Sequence, residues 1–150
     1  MVVTGKIRVQ APIKRVWDTL LEPETLQACL SGIERIERLD ERNYTIIIAQ
    51  KVGPLTARFK MKATLTRVEA PTHLELEGQR EDIGNADRVV HKVRIDLHEI
   101  PGNCVEISYA TDANIGGALA IFADRIIQAK VKKIEAEFTN ALQKRLDSRA

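Results

Sequence analysis

Aromatic residues are scarce in this 150-residue chain: one Trp, two Tyr and three Phe make up 4% of it. Its core must therefore be built mainly from aliphatic side chains, with few rings to fill wide gaps. Cysteine is scarcer still. Cys29 and Cys104 stand in no CxxC or Cys/His ligand spacing, which argues against a structural zinc site or a disulfide framework and leaves two small apolar side chains. An excess of one charge is missing: 23 basic against 21 acidic residues leave a formal net charge of +2, so no nucleic-acid partner is expected. No stretch approaches the roughly 20 apolar residues that span a bilayer, and MVVTGKIRVQAP at the N-terminus lacks a long apolar core, so a cytoplasmic location is expected. Repeats, low-complexity segments and linkers rich in Pro, Gly or Ser are also lacking. Residues 1–150 are thus expected to form one domain.

What is present is alternation. Residues 2–10 place Val3, Gly5, Ile7 and Val9 on one side of a strand. Pro12 and Pro23 can each open a short helix, the first with Ile13, Val16, Trp17 and Leu20 on one face, the second with Leu26, Cys29 and Leu30; Gly32 is placed to stop it. Strands follow at 33–39, 44–52, 55–66, 72–79 and 86–99, then a closing strand carrying Val105, Ile107 and Tyr109. The clearest is 55–66, where Leu55, Ala57, Phe59, Met61, Ala63 and Leu65 share one face. Turn residues at 40–43, 53–54 and 101–103 separate hairpins. From about 118 to 146 the period becomes helical. Leu119, Ala123, Ile126, Ile127, Val131, Ile134, Phe138, Ala141, Leu142 and Arg145 form a stripe, with Lys132, Lys133, Glu135, Glu137 and Lys144 facing away. The fold expected is α+β: a curved antiparallel sheet of six to seven strands wrapped around a long C-terminal helix, with two short helices after the first strand.

A curled sheet closes on one helix only if bulky side chains fill the gap, and here the inward positions include Gly5, Ala57, Ala63, Gly78 and Ala123. Two readings follow, an apolar cavity suited to a hydrophobic small molecule or an ordinarily packed core. On the first, Phe59, Met61, Leu76, Phe122 and Ile126 are the walls, and Leu26 and Leu30 flank an entrance. His91 falls on the apolar face between Val89 and Val93, from where it can donate to a ligand carbonyl or hydroxyl, and Tyr109 can do the same from a neighbouring strand. On the second reading, all of these are core residues, His91 being satisfied by backbone or water. Trp17 reads as a helix-to-sheet anchor.

The remaining polar clusters carry less. Gly116 and Gly117 lack the spacing of a phosphate-binding loop and read as a strand-to-helix turn. Arg58, Lys60 and Lys62 form a basic row on the outer face, either solvated or open to an anionic lipid or partner. Glu81, Asp82 and Asp87 have no tight ligand pattern, and His73, His91 and His98 make no metal triad, so neither metal nor cofactor is expected. No nucleophile stands in a recognisable setting, so no catalytic residue is assigned. The one acid–base pair the pattern offers is His91 with Tyr109.

Four motifs carry a resemblance: AP...VW..L at 11–20, PE.L..CL.G at 23–32, KVGP at 51–54, and GGALA at 116–120 with Arg125 following. Together they resemble the CoxG family, named for a component of carbon monoxide dehydrogenase, which is a branch of the START and birch-pollen-allergen superfamily with the helix-grip fold. Ser31, where the pattern has proline, and IFADR, where it has a leucine-glycine pair, depart from it. The resemblance implies a non-catalytic accessory or carrier protein that holds a lipid or isoprenoid quinone, works with a molybdenum-dependent carbon monoxide dehydrogenase-like system and has dehydrogenase subunits as partners. It also implies peripheral contact with the inner face of the membrane, an expectation weakened because no tail follows the long helix. An exterior interaction module and a cyclase-like enzyme are the alternatives.

Overall fold

The computed structural model describes residues 2–30, 32–52, 54–80, 89–115 and 119–148, without the side chains of residues 50–52, 55–57, 59, 80, 89–90, 113–115 and 119–129. Strand β1 (Val2–Gln10) is followed by helices α1 (Ile13–Leu20) and α2 (Pro23–Cys29). Six strands come next: β2 (Ile33–Arg38), β3 (Asn43–Val52), β4 (Leu55–Glu69), β5 (His73–Arg80), β6 (Val89–Ile100) and β7 (Cys104–Ile115). The long helix α3 (Leu119–Ser148) closes the order. The strands form one curled antiparallel sheet in the order β1-β7-β6-β5-β4-β3-β2. From β2 to β7 each strand pairs with the next in the chain, and β1 pairs with the last strand. That is the α+β helix-grip architecture expected from the alternation.

Local chemistry accounts for the boundaries. Pro12 and Pro23 sit at the starts of the two short helices, where a missing N–H costs nothing. The second helix ends at Cys29 because Leu30 is already extended, ahead of the expected stop at Gly32, whose carbonyl instead accepts from Ala49 N–H at 2.9 Å. Asp40 holds the β2–β3 turn by accepting from the backbone N–H groups of Arg42 and Asn43, each at 2.9 Å. These bonds to the charged form hold its carboxyl below the usual range. Gly102 and Asn103, at φ +96° and +60°, turn the β6–β7 hairpin through the left-handed region that these residue types tolerate. The closing strand runs on to Ile115, well past Tyr109.

The core lies at one end of the sheet. Ile7 and Val9 of β1, Val105 and Ile107 of β7 and Leu97 of β6 pack with Val16 and Trp17 of α1, Cys29 of α2, and Leu142 and Leu146 of α3. Val16, Val105 and Leu142 are fully buried. Trp17 joins this cluster as the anchor expected of it. Along α3, Leu142 and Leu146 are buried, Val131, Glu135 and Phe138 partly buried, and Ile134 is 41% exposed. The inward stripe is therefore 131, 135, 138, 142 and 146, turned by one step of helical phase from one routed through Ile134 and Arg145. Glu135, expected to face away, turns inward. Arg145 reaches sideways to α2, donating to buried Thr25 at 2.9 Å and pairing with Glu22 at 3.6 Å.

The outer face of the sheet neutralises itself. Arg67, Glu75 and Arg94 lie in one cross-strand row, and Glu77, Lys92 and Asp112 in another. Arg58, expected in a free basic row, is held by Glu34 at 2.7 Å. Opposite charges in adjacent strands stabilise each other modestly and leave little net field for a charged partner.

Candidate functional site

The strand register orders the inner face into rungs that run from solid to open. Val9 and Val105 form one rung and Ile7, Ile107 and Leu97 the next, all buried. The third brings together Gly5, Tyr109 and Ile95 with buried Leu74, and the fourth Val3, Thr111, Val93 and Leu76 with buried Leu65. The fifth holds Tyr44, Ala63, Gly78 and His91. Val3, Ile95, Thr111, Val93, Leu76, His91 and Tyr44 are only partly buried. The α3 residues facing the solid end, Leu142 and Leu146, are the most buried among the helix's described side chains. Burial on the inner face is thus less complete on β1, β6 and β7 away from the C-terminal end of α3, while Leu65, Ala63 and Met61 of β4 stay buried.

Two of the small inward residues are not empty space. A Cβ on Gly5 would collide with the ring and hydroxyl of Tyr109 and with the Glu135 carboxylate. A Cβ on Gly78 would meet Met61 Cε at 3.1 Å and His91 Cβ at 3.6 Å. Met61, a wall residue by expectation, is buried and fills the gap that Gly78 leaves. Met61, Leu76 and His91 thus share the inner face, Met61 and His91 meeting around Gly78.

Tyr109 does not have the role read from the pattern. Its hydroxyl donates a short hydrogen bond to Glu135 Oε2, so its proton is already committed. Burial, with the carboxylate alongside, pushes its pKa up to about 12. It is also far from His91: Tyr109 is opposite Ile95, whereas His91 is opposite Ala113. Four residues along the strand amount to about 13 Å, so the acid–base pairing of His91 with Tyr109 is not formed. Burial holds the His91 imidazole below its ordinary pKa, in the neutral state. Leu26 and Leu30 are partly buried on and beside α2. Phe59, Phe122 and Ile126, with Gly116, Gly117, Glu81, Asp82 and Asp87, lie outside the described side chains or residues.

Sequence reading missed Glu135 because a carboxylate within a run of Lys and Glu looks solvated. The signal that finds it is its spacing of four from Val131 and three from Phe138. A separate open groove of about 390 Å³ lies at the solid end, where Pro12 and Ile13 meet Glu99, Pro101 and Cys104, away from the residues above. Among the described residues no three His, Cys, Asp or Glu side chains are placed to hold a metal ion, and no helix is long and apolar enough to cross a membrane.

Comparison with known proteins agrees with this architecture. The CoxG family, described as the G component of carbon monoxide dehydrogenase, matches residues 5–147. A conserved protein from Geobacillus kaustophilus superposes with a TM-score of 0.83 at 23% identity, over 99% of this chain and 96% of its own. A START superfamily protein from Mycobacterium smegmatis gives 0.70 at 8% identity, over 99% of both chains. The Zhui aromatase/cyclase from Streptomyces sp. R1128 gives 0.71 at 13% identity, over 99% of this chain and 94% of its own. At these identities the solved structures share the fold. No curated protein matches the sequence.

Proposed function

Because the chain belongs to the CoxG family of carbon monoxide dehydrogenase components, we propose that it is a non-catalytic accessory or carrier protein. It holds an apolar small molecule, a lipid or an isoprenoid quinone, between the inner face of the sheet and α3. Its partners are subunits of a molybdenum-dependent carbon monoxide dehydrogenase-like system, and it works in the cytoplasm with peripheral contact at the membrane's inner face. The observation that supports the reading is the change along the inner face, from the buried Ile7, Ile107 and Leu97 rung to the only partly buried Val3, Thr111, Val93 and Leu76 of the rung that also holds buried Leu65. Apolar surface left accessible on a concave face is stabilised by a ligand that removes it from water. Met61, Leu76 and His91 line this site in the proposal, with Phe59, Phe122 and Ile126 as further walls and Leu26 and Leu30 at its mouth.

Native mass spectrometry and organic extraction of the purified chain test the proposal. A co-purifying lipid or quinone is expected. A chain that carries none and takes up none when offered would overturn it. The cyclase-like alternative loses its one acid–base pair to the strand register.

A further inference from the structure

The Tyr109–Glu135 pair has a chemical polarity that the apolar surface around it lacks. Tyr109 projects from β7 at the rung just beyond the solid core, and Glu135 comes down from α3 to meet it over Gly5. Because the phenol donates to Glu135 Oε2, what remains on offer is a set of lone pairs, on the phenolic oxygen and on the carboxylate. Glu135 Oε1 has no hydrogen-bond partner among the described residues, and no polar side-chain atom there is both buried and unpartnered, so Oε1 stays reachable. Two hydroxyls on the same strand and helix as the pair add no donor. Thr139 Oγ1 is turned to the Glu135 main-chain carbonyl at 2.7 Å, and Thr111 Oγ1 to the Val3 carbonyl at 3.4 Å. Among the described side chains, this stretch of the inner face therefore accepts hydrogen bonds and has none to give.

We propose that the Tyr109–Glu135 pair is the specificity element at its end of the site, selecting apolar molecules that carry a hydroxyl (an alcohol, a phenol or a hydroquinone) over their ether counterparts. The inference rests on the reading of the inner face as a ligand site. A ligand hydroxyl beside Oε1 makes a charge-assisted bond, whereas a carbonyl or ether oxygen there faces only other lone pairs. Hydrogen bonds to charged groups are about twice as strong as neutral ones, enough for roughly tenfold selectivity.

The test uses a matched pair with one apolar body, 4-nonylphenol and its methyl ether 4-nonylanisole, measured by equilibrium dialysis against the whole chain at pH 7. The phenol is expected to bind about tenfold more tightly. Glu135→Gln can still accept from Tyr109 but now presents an amide donor, and its preference should fall to about one. Affinity for the ether should not fall in that variant, since the amide N–H can donate to the ether oxygen, whereas loss of a merely structural role for Glu135 would lower it. Tyr109→Phe keeps the carboxylate and should keep the preference. Equal binding of the two probes by the unaltered chain, or a preference surviving Glu135→Gln, would overturn the specificity role and leave the ligand site standing. Failure of both probes to bind would overturn the site itself, and the specificity role with it.

Discussion

Tyr109 occupies the space that a side chain on Gly5 would need, the two residues lying opposite each other across β7 and β1. The glycine is required by that close approach. Gly5→Ala must displace the ring and its bond to Glu135, and is expected to cost about 2–3 kcal/mol in urea unfolding. In a Tyr109→Ala background only the end of the flexible Glu135 side chain still stands in that space, so the same substitution should cost at least about 1 kcal/mol less. Equal costs in the two backgrounds would show that the contact does not explain the glycine.

Gly78 gives the contrasting case. Its nearest obstacle is the terminal methyl of Met61, a flexible group that can move by the few tenths of an ångström needed. Gly78→Ala should therefore change stability by less than about 1 kcal/mol, since the lost chain entropy of glycine offsets mild crowding. The added methyl projects onto the inner face, so uptake of 4-nonylphenol should weaken. Unfolding and dialysis on the same variant separate the two effects, and undiminished uptake would place the ligand away from Gly78.

The architecture was legible because two-residue and helical periods are long-range signals, repeated over the clean alternation of β4 and the length of α3. A single side chain's partner is not periodic. Glu135 and Ile134 exchange their expected positions through one step of helical phase, and only the packing of Leu142 and Leu146 against the sheet fixes that phase. Whether Gly5 and Gly78 leave room was equally unreadable, because the filling side chains, Tyr109 and Met61, come from other strands.

Arg145 joins α3 to α2 through Thr25, whose hydroxyl lies in a fully buried residue. Arg145→Ala leaves that hydroxyl short of its donor and removes the ion pair with Glu22, so a loss of about 1–2 kcal/mol is expected. Nearby Cys29 is buried, and burial pushes its thiol up against the opposing pull of Arg145. In the native chain an alkylating reagent should modify partly exposed Cys104 well before Cys29. Faster reaction at Cys29, read by peptide mass mapping, would contradict its packing.

His73 bridges two carboxylates on the outer face, Nδ1 at 2.5 Å from Asp96 and Nε2 at 3.2 Å from Glu75. The bond to Asp96, then that to Glu75, raises its pKa above the ordinary 6.5. A raised folded-state pKa gives stability that is fully present below the unfolded value and lost as pH rises through the folded one. The contribution should thus fade from about pH 6.5 upward, amounting to at most about 1 kcal/mol on this partly solvated face. His73→Gln should flatten that part of the pH–stability profile, and NMR titration of His73 should fall back toward 6.5 in Asp96→Asn. An unchanged titration would remove Asp96 as the cause.

His91 titrates in the opposite sense. Burial lowers its folded-state pKa, so its penalty is absent above the unfolded value of about 6.5 and grows as pH falls through the folded one. His91→Leu should therefore be nearly neutral for stability at pH 7.5 and protective below pH 6. The neutral imidazole keeps one N–H to give, whereas the Tyr109–Glu135 pair has none. If the inner face holds a ligand along its length, a carbonyl head is recognised at the His91 end and a hydroxyl at the Glu135 end. Decyl-substituted benzoquinone should accordingly raise the melting temperature of the unaltered chain more than that of His91→Leu, while 4-nonylphenol should shift both alike. An equal benzoquinone shift in the two proteins would remove His91 from the site and leave Glu135 as its polar contact.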